Sequence, residues 1–189
     1  MKNFFKVLIP VAGLVLCLNA SSFAQADLAV YGGYVFSGTV DVGGAEADYS
    51  ATQFGVKGHY NIEMSSAVGL GFGAFYQYEK VDPDEWSGGA KPKRSAFGLD
   101  LALIFSTSSE VFPYARVYCA YDKLKVLGYS ASGFGFGIGA GIEYAIMPTL
   151  RLFGELMYEA PSWEKEIGSY TLEADASQIG VNVGLKFLL

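Results

Sequence analysis

Metal and disulfide chemistry have little to work with in this sequence, which holds one histidine and two cysteines in 189 residues. Cys17 lies in an amino-terminal apolar run, so a processed chain keeps only Cys119 and closes no internal disulfide. Cys119, set between Tyr118 and Ala120 in a strand-like run, reads as a small apolar residue rather than a nucleophile. Basic residues are also few, 13 Lys and Arg against 19 Asp and Glu, a balance that argues against nucleic acid as a partner. Beyond residue 18 no apolar run approaches the ~20 residues of a spanning helix, which excludes helical membrane spans from the rest of the chain. No cofactor is implied.

What is present begins with Lys2 and Lys6, an apolar run from Val7 to Leu18, and Ala24-Gln25-Ala26. This is the order of a secretory signal peptide, with cleavage expected after Ala26. The run is too short for a retained anchor, and Leu16 before Cys17 does not suit a lipidation site. Residues 1–26 are therefore expected as a leader and 27–189 as one domain. Both leader charges are basic, so the exported part is more acidic than the −6 of the whole chain.

The remainder alternates. The terminal stretch from Gln178 to Leu189 places Ile179, Val181, Val183, Leu185, Phe187 and Leu189 on one face, with Gly180, Asn182, Gly184 and Lys186 on the other. A period of two is a strand with one apolar and one small or polar face. The same pattern recurs from 28 to 38 and from 50 to 62. It returns at 68–79, 95–105, 112–121, 133–144 and 150–159, giving eight strands in all. Polar stretches at 39–49, 80–94, 122–130 and 161–175 read as long loops, and the three connections between them as short turns. An even strand number with alternating short turns and longer loops is the pattern of an all-β, antiparallel, up-and-down transmembrane β-barrel.

The rival architecture is a soluble barrel of lipocalin type, with the apolar face inside and an apolar ligand carried there. It would turn the ladder Gly133, Gly135, Gly137, Gly139 and Gly141 outward, weakening a strand without any gain in packing. With the glycines inward, small residues make room for long ones in a narrow lumen. The inward face then holds Lys57, Glu79, Asp100, Arg116, Glu143, Arg151, Glu155 and Lys186, expected as an interior polar network that closes the lumen through ion pairs. The alternative is a hydrated, narrow channel lined by the same groups. Partners within the network are not assignable from spacing.

Other motifs are absorbed by the strands. Gly135-x-Gly137-x-x-Ala140 and Gly69-x-Gly71-x-x-Ala74 match a dinucleotide fingerprint but continue a period of two instead of turning into a helix. His59 lies on the inward face between Lys57 and Asn61 with no serine beside it, so catalysis by a histidine-activated nucleophile is not expected. The chain is read as a non-enzyme. Lys80, Lys91, Lys93, Arg94, Lys123 and Lys125 fall in the second and third loops, where they read as solvated residues or contacts for lipid phosphates.

The leader ending Ala-Gln-Ala, the segments Gly-Leu-Gly-Phe-Gly-Ala-Phe and Gly-Phe-Gly-Phe-Gly-Ile-Gly-Ala-Gly, the Phe112-Pro113-Tyr114 strand start and the alternating final strand resemble a known family. It is that of the small eight-stranded outer-membrane β-barrel proteins of OmpX, opacity-protein and OmpA transmembrane-domain type. The resemblance implies residence in the outer membrane among lipid and lipopolysaccharide, and action through surface loops in adhesion, envelope integrity or surface interaction. It also implies that Val183, Leu185, Phe187 and Leu189 form a terminal signal read by the barrel assembly machinery. In such proteins the last strand ends in an aromatic residue, whereas here Leu188 and Leu189 follow Phe187. Any surface partner is not identified by the resemblance.

Overall fold

Eight strands follow one another in a computed structural model that describes residues 24–83, 91–107, 109–126, 128–167 and 170–189. The expected leader lies outside the described residues except for Ala24–Ala26, which begin the first strand. The strands are β1 (Ala24–Val42), β2 (Ala45–Ser65), β3 (Val68–Pro83), β4 (Lys93–Phe105), β5 (Val111–Val126), β6 (Tyr129–Met147), β7 (Leu150–Ile167) and β8 (Tyr170–Leu188). Each pairs antiparallel with the next, and β1 pairs with β8 to close the barrel. Closure removes both sheet edges, so no strand is left with an unpaired row of backbone groups.

The faces follow the alternation. Leu99, Leu101, Phe134, Phe136, Ile138, Leu156 and Val183 are exposed on the outside, while Lys57, Asp100, Arg116, Glu143, Glu155 and Lys186 are buried inside. Such an inversion is stable where the outer surface meets lipid instead of water. The glycines also lie where the small-against-large fit places them. Tyr31 stands opposite Gly55, Phe75 opposite Gly98, Tyr114 opposite Gly141, Tyr118 opposite Gly137 and Phe153 opposite Gly184. A Cβ at Gly137 would collide with the Tyr118 ring, and each of these five inward aromatics lies across a neighbour that has no side chain.

The expected long loops are corrected. β1 and β2 run through 39–49 to a two-residue turn at Gly43-Gly44, whose φ angles of 63° and 88° suit a hairpin turn that only glycine enters freely. Asp41 Oδ1 accepts a hydrogen bond from Gly44 N at 2.7 Å. β5 and β6 likewise run through most of 122–130, and β7 and β8 through most of 161–175. The physical reason is that a registered antiparallel pair extends with little further closure cost, whatever the hydrophobicity of its side chains. In the stretch 80–94, β3 reaches Pro83 and β4 starts at Lys93; residues 84–90, with Gly88-Gly89, lie outside the described residues.

β1 also carries a bulge. Its pairing with β8 shifts between Val35 and Ser37, so Phe36 and Ser37 are both exposed and Gly38 returns inward. One extra residue reverses the faces beyond it. Val40 therefore packs against the buried cluster of Val35, Tyr49, Ala51 and Met157, where an unbroken alternation would have sent Thr39 inward.

Candidate functional site

Charged side chains stand inside the barrel in tiers along its axis. Near the rim that carries the start of β1 and the end of β8, Lys186 Nζ binds Glu143 Oε1 and lies 3.4 Å from Asp27 Oδ2. Arg151 Nη1 donates to the other Glu143 oxygen at 2.9 Å and its guanidinium stacks over Phe112. His59 sits between two carboxylates, with Nδ1 3.0 Å from Asp27 Oδ1 and Nε2 3.0 Å from Asp100 Oδ2. Asn61 donates to Asp27 Oδ2 at 2.8 Å.

The middle of the lumen is organised by Glu155. Lys57 Nζ donates to its Oε2 at 3.3 Å, and Tyr114 donates to the same oxygen at 2.9 Å. Arg116 Nε lies 3.0 Å from that oxygen, close enough for an ion pair though not aligned as a hydrogen bond. Arg116 Nη1 donates to Asp100 Oδ2 at 3.1 Å, which ties this tier to His59. Lys57 lies 4.4 Å from the centre of the Phe153 ring and the Arg116 guanidinium 4.3 Å from that of Tyr118, cation–π contacts that stabilise charges withdrawn from water.

The outer tier is built on Arg94. Its Nε donates to Asp122 Oδ1 at 2.5 Å, and its Nη1 to Glu79 Oε1 at 2.9 Å and Glu159 Oε2 at 2.6 Å. Gln178 Nε2 bridges the same two glutamates at 3.0 and 2.6 Å, and Tyr118 donates to Glu159 Oε1 at 2.8 Å. Gln53, Gln77 and Asn182 complete the layer between the tiers: Gln53 Nε2 donates to Asn182 Oδ1 at 2.5 Å, and Asn182 Nδ2 to Glu155 Oε1 at 3.2 Å. Among the described residues no group of His, Cys, Asp and Glu is arranged to hold a metal ion.

All eight residues of the expected network thus lie in the lumen. Lys57 meets Glu155, Arg116 meets Asp100 and Glu155, and both Arg151 and Lys186 meet Glu143. Glu79 meets none of these cations. Its partner is Arg94, which, like Asp122, falls in a stretch expected as a loop. Their phase was the signal: Arg94 is in step with Ala96, Gly98 and Asp100, and Asp122 with Tyr118 and Ala120. The four residues of the expected assembly signal behave differently, with Val183, Leu185, Phe187 and Leu189 all exposed.

A family model described as an outer membrane protein beta-barrel domain matches residues 11–187. The chain belongs to this family. No curated protein sequence matches it. Among solved structures, the barrel is similar to Neisserial surface protein A, NspA, at 16% identity and a TM-score of 0.50, covering 82% of this chain and 96% of that one. It is similar to the outer membrane enzyme PagL at 13% identity and a TM-score of 0.50, with 82% and 97% covered. It also resembles the outer membrane protein OprG of Pseudomonas aeruginosa at 15% identity and a TM-score of 0.49, with 88% and 97% covered. At these identities the likeness is one of fold. As a member of this family the protein resides in the outer membrane, with its apolar outer face in lipid.

Proposed function

We propose that this protein is a non-enzymatic outer-membrane barrel with a closed lumen, acting through its outer rim on lipopolysaccharide or a surface partner. One observation carries the reading: Arg94, Arg116, Lys57 and Lys186 each meet carboxylates from other strands, and these side chains are all buried. Cross-lumen pairs of this kind tie the wall together and leave each charge partnered, which a buried ion pair requires if it is to persist. A conducting lumen would hydrate the same groups. Exchange of small sugars in a liposome-swelling assay tests the reading: protein-loaded vesicles should swell no faster than empty ones, and porin-like swelling would overturn it.

The non-enzymatic part rests on His59. Both ring nitrogens face carboxylates, Asp27 and Asp100, so neither is left to activate a hydroxyl. Likeness of fold to an enzyme does not transfer its chemistry.

For the lipid partner, the support is a row of cations. Lys80, Lys93 and Lys125 are register partners on β3, β4 and β5, all exposed on the outer face, with Lys123 one step below. Like charges set directly opposite destabilise a sheet unless an anion lies between them, and the phosphates of lipopolysaccharide supply that anion at this level. The exposed Val183, Leu185, Phe187 and Leu189 suit recognition by the assembly machinery, and cleavage of the leader after Ala26 would bring Asp27 to the start of the mature chain.

A further inference from the structure

The outward charges at the rim that carries the Gly43-Gly44 turn are sorted by sign. On β2, β1, β8 and β7 they are acidic: Glu46, Asp48, Glu164, Glu173 and Asp175 are exposed and Asp41 partly so. Their chain neighbours Val40, Tyr49, Trp163 and Ala176 turn inward, so alternation turns these carboxylates out. Register sets Asp41 directly between Glu46 and Asp175, and Glu164 directly opposite Glu173. The ion pairs among the described residues leave all of these carboxylates without a cation.

β3, β4 and β5 carry the opposite sign. Lys80, Lys93, Lys123 and Lys125 are exposed there, and the one outward acid among the described residues of these strands, Asp82, is taken by Lys91 at 2.6 Å. β6, which separates the two arcs on one side, holds no charged residue from Tyr129 to Ile142. In the eight-strand ring β4 and β8 stand half a turn apart, so the barrel is basic on one flank and acidic on the other. Like charges directly opposite destabilise a sheet. Each arc lacks the counter-charge that the other holds, on the far side of the barrel where it cannot reach.

We infer that copies of this protein associate side by side in the membrane, the lysine arc of one against the carboxylate arc of the next. Both arcs belong to the same rim, so two barrels standing parallel in one bilayer bring them together. A phosphate answers the lysines alone and a metal ion the carboxylates alone, whereas a second copy answers both arcs at once. Complementary charge of this kind fixes which flanks meet and rejects pairings of like flanks. The contact is heterologous, and with its two halves half a turn apart it extends as an open row instead of closing into a small ring. This goes beyond the lipid reading: lysines that meet phosphate on a lone barrel meet carboxylates where two barrels touch.

The test uses the whole barrel folded into phosphatidylcholine vesicles without lipopolysaccharide or divalent ions. Donor or acceptor dye is carried at Ser66→Cys, in the exposed β2–β3 turn of the opposite rim, in a Cys119→Ala background. Energy transfer between copies should exceed that of a random distribution at the same density. Replacing Lys80, Lys93, Lys123 and Lys125 by Glu, or Glu46, Asp48, Glu164, Glu173 and Asp175 by Lys, should each lower the excess by about tenfold or more, because like flanks then meet. Mixing the two variants, donor on one and acceptor on the other, should restore it. Transfer at the random level in the parent, excess transfer kept by either variant while its folded band persists, or a mixture that stays at the random level would each overturn the proposal. The carboxylate arc has no part in the lipid reading, so the two fail separately: retention reads lysine against lipid, and the mixture reads one copy against another.

Discussion

Arg94 and Asp122 face each other inside the barrel at 2.5 Å, although neither is the other's register partner: Arg94 pairs with Leu124 and Asp122 with Ala96. The two inward side chains meet on the diagonal of β4 and β5. Arg94 then reaches Glu79 on β3 and Glu159 on β7, so one guanidinium joins four strands. Arg94→Met would leave three buried carboxylates without their cation. A loss of about 3–5 kcal/mol is expected, the cost of breaking a buried pair from one side. The urea midpoint of the heat-modifiable folded band measures it; an unchanged midpoint would show that the outer tier does not hold the wall together.

Gly137 and Tyr118 are the clearest case of an aromatic set against a glycine. Gly137→Val forces the Tyr118 ring aside and should cost about 1–3 kcal/mol, the usual range for overpacking. Adding Tyr118→Ala removes the collision, so the double variant should lose less than the two single changes together. Strict additivity in the same urea series would show that the ring does not fill the space over Gly137.

His59→Ala separates structure from chemistry. Removing the ring leaves Asp27 and Asp100 without the group between them, so stability should fall. Lipid A extracted from cells making the variant should keep the mass spectrum of cells making the parent protein. A shift in acyl content that follows the variant would assign His59 a catalytic role.

Replacing Lys80, Lys93 and Lys125 by Gln removes the outward row of like charge. Lipopolysaccharide retained through purification should fall by at least about half, while the folded band is unchanged or slightly steadier. Equal retention would leave the row as a solvated surface.

Strand order, face assignment and the eight lumen residues were legible because a period of two survives in every membrane-crossing segment. Lys57, Asp100 and Glu155 stand out as charges on an otherwise small-residue face. Three things were hidden. Arg94 and Asp122 lie where the outer face has already become polar, so hydrophobic alternation no longer marks the strand even though its pairing continues. Val40 and Val42 depend on a bulge that inverts the faces without any glycine or proline signal at Phe36 and Ser37. The choice of partners, such as Arg94 with Glu79 or Lys186 with Glu143, is set by stagger and closure around the barrel and not by spacing along the chain.

The central claim is that these pairs close the lumen, and single-channel recording in a planar lipid bilayer tests it most directly. The parent protein should be silent at voltages at which an open porin conducts. Steady conductance from the parent protein would contradict the account and establish the barrel as a narrow channel.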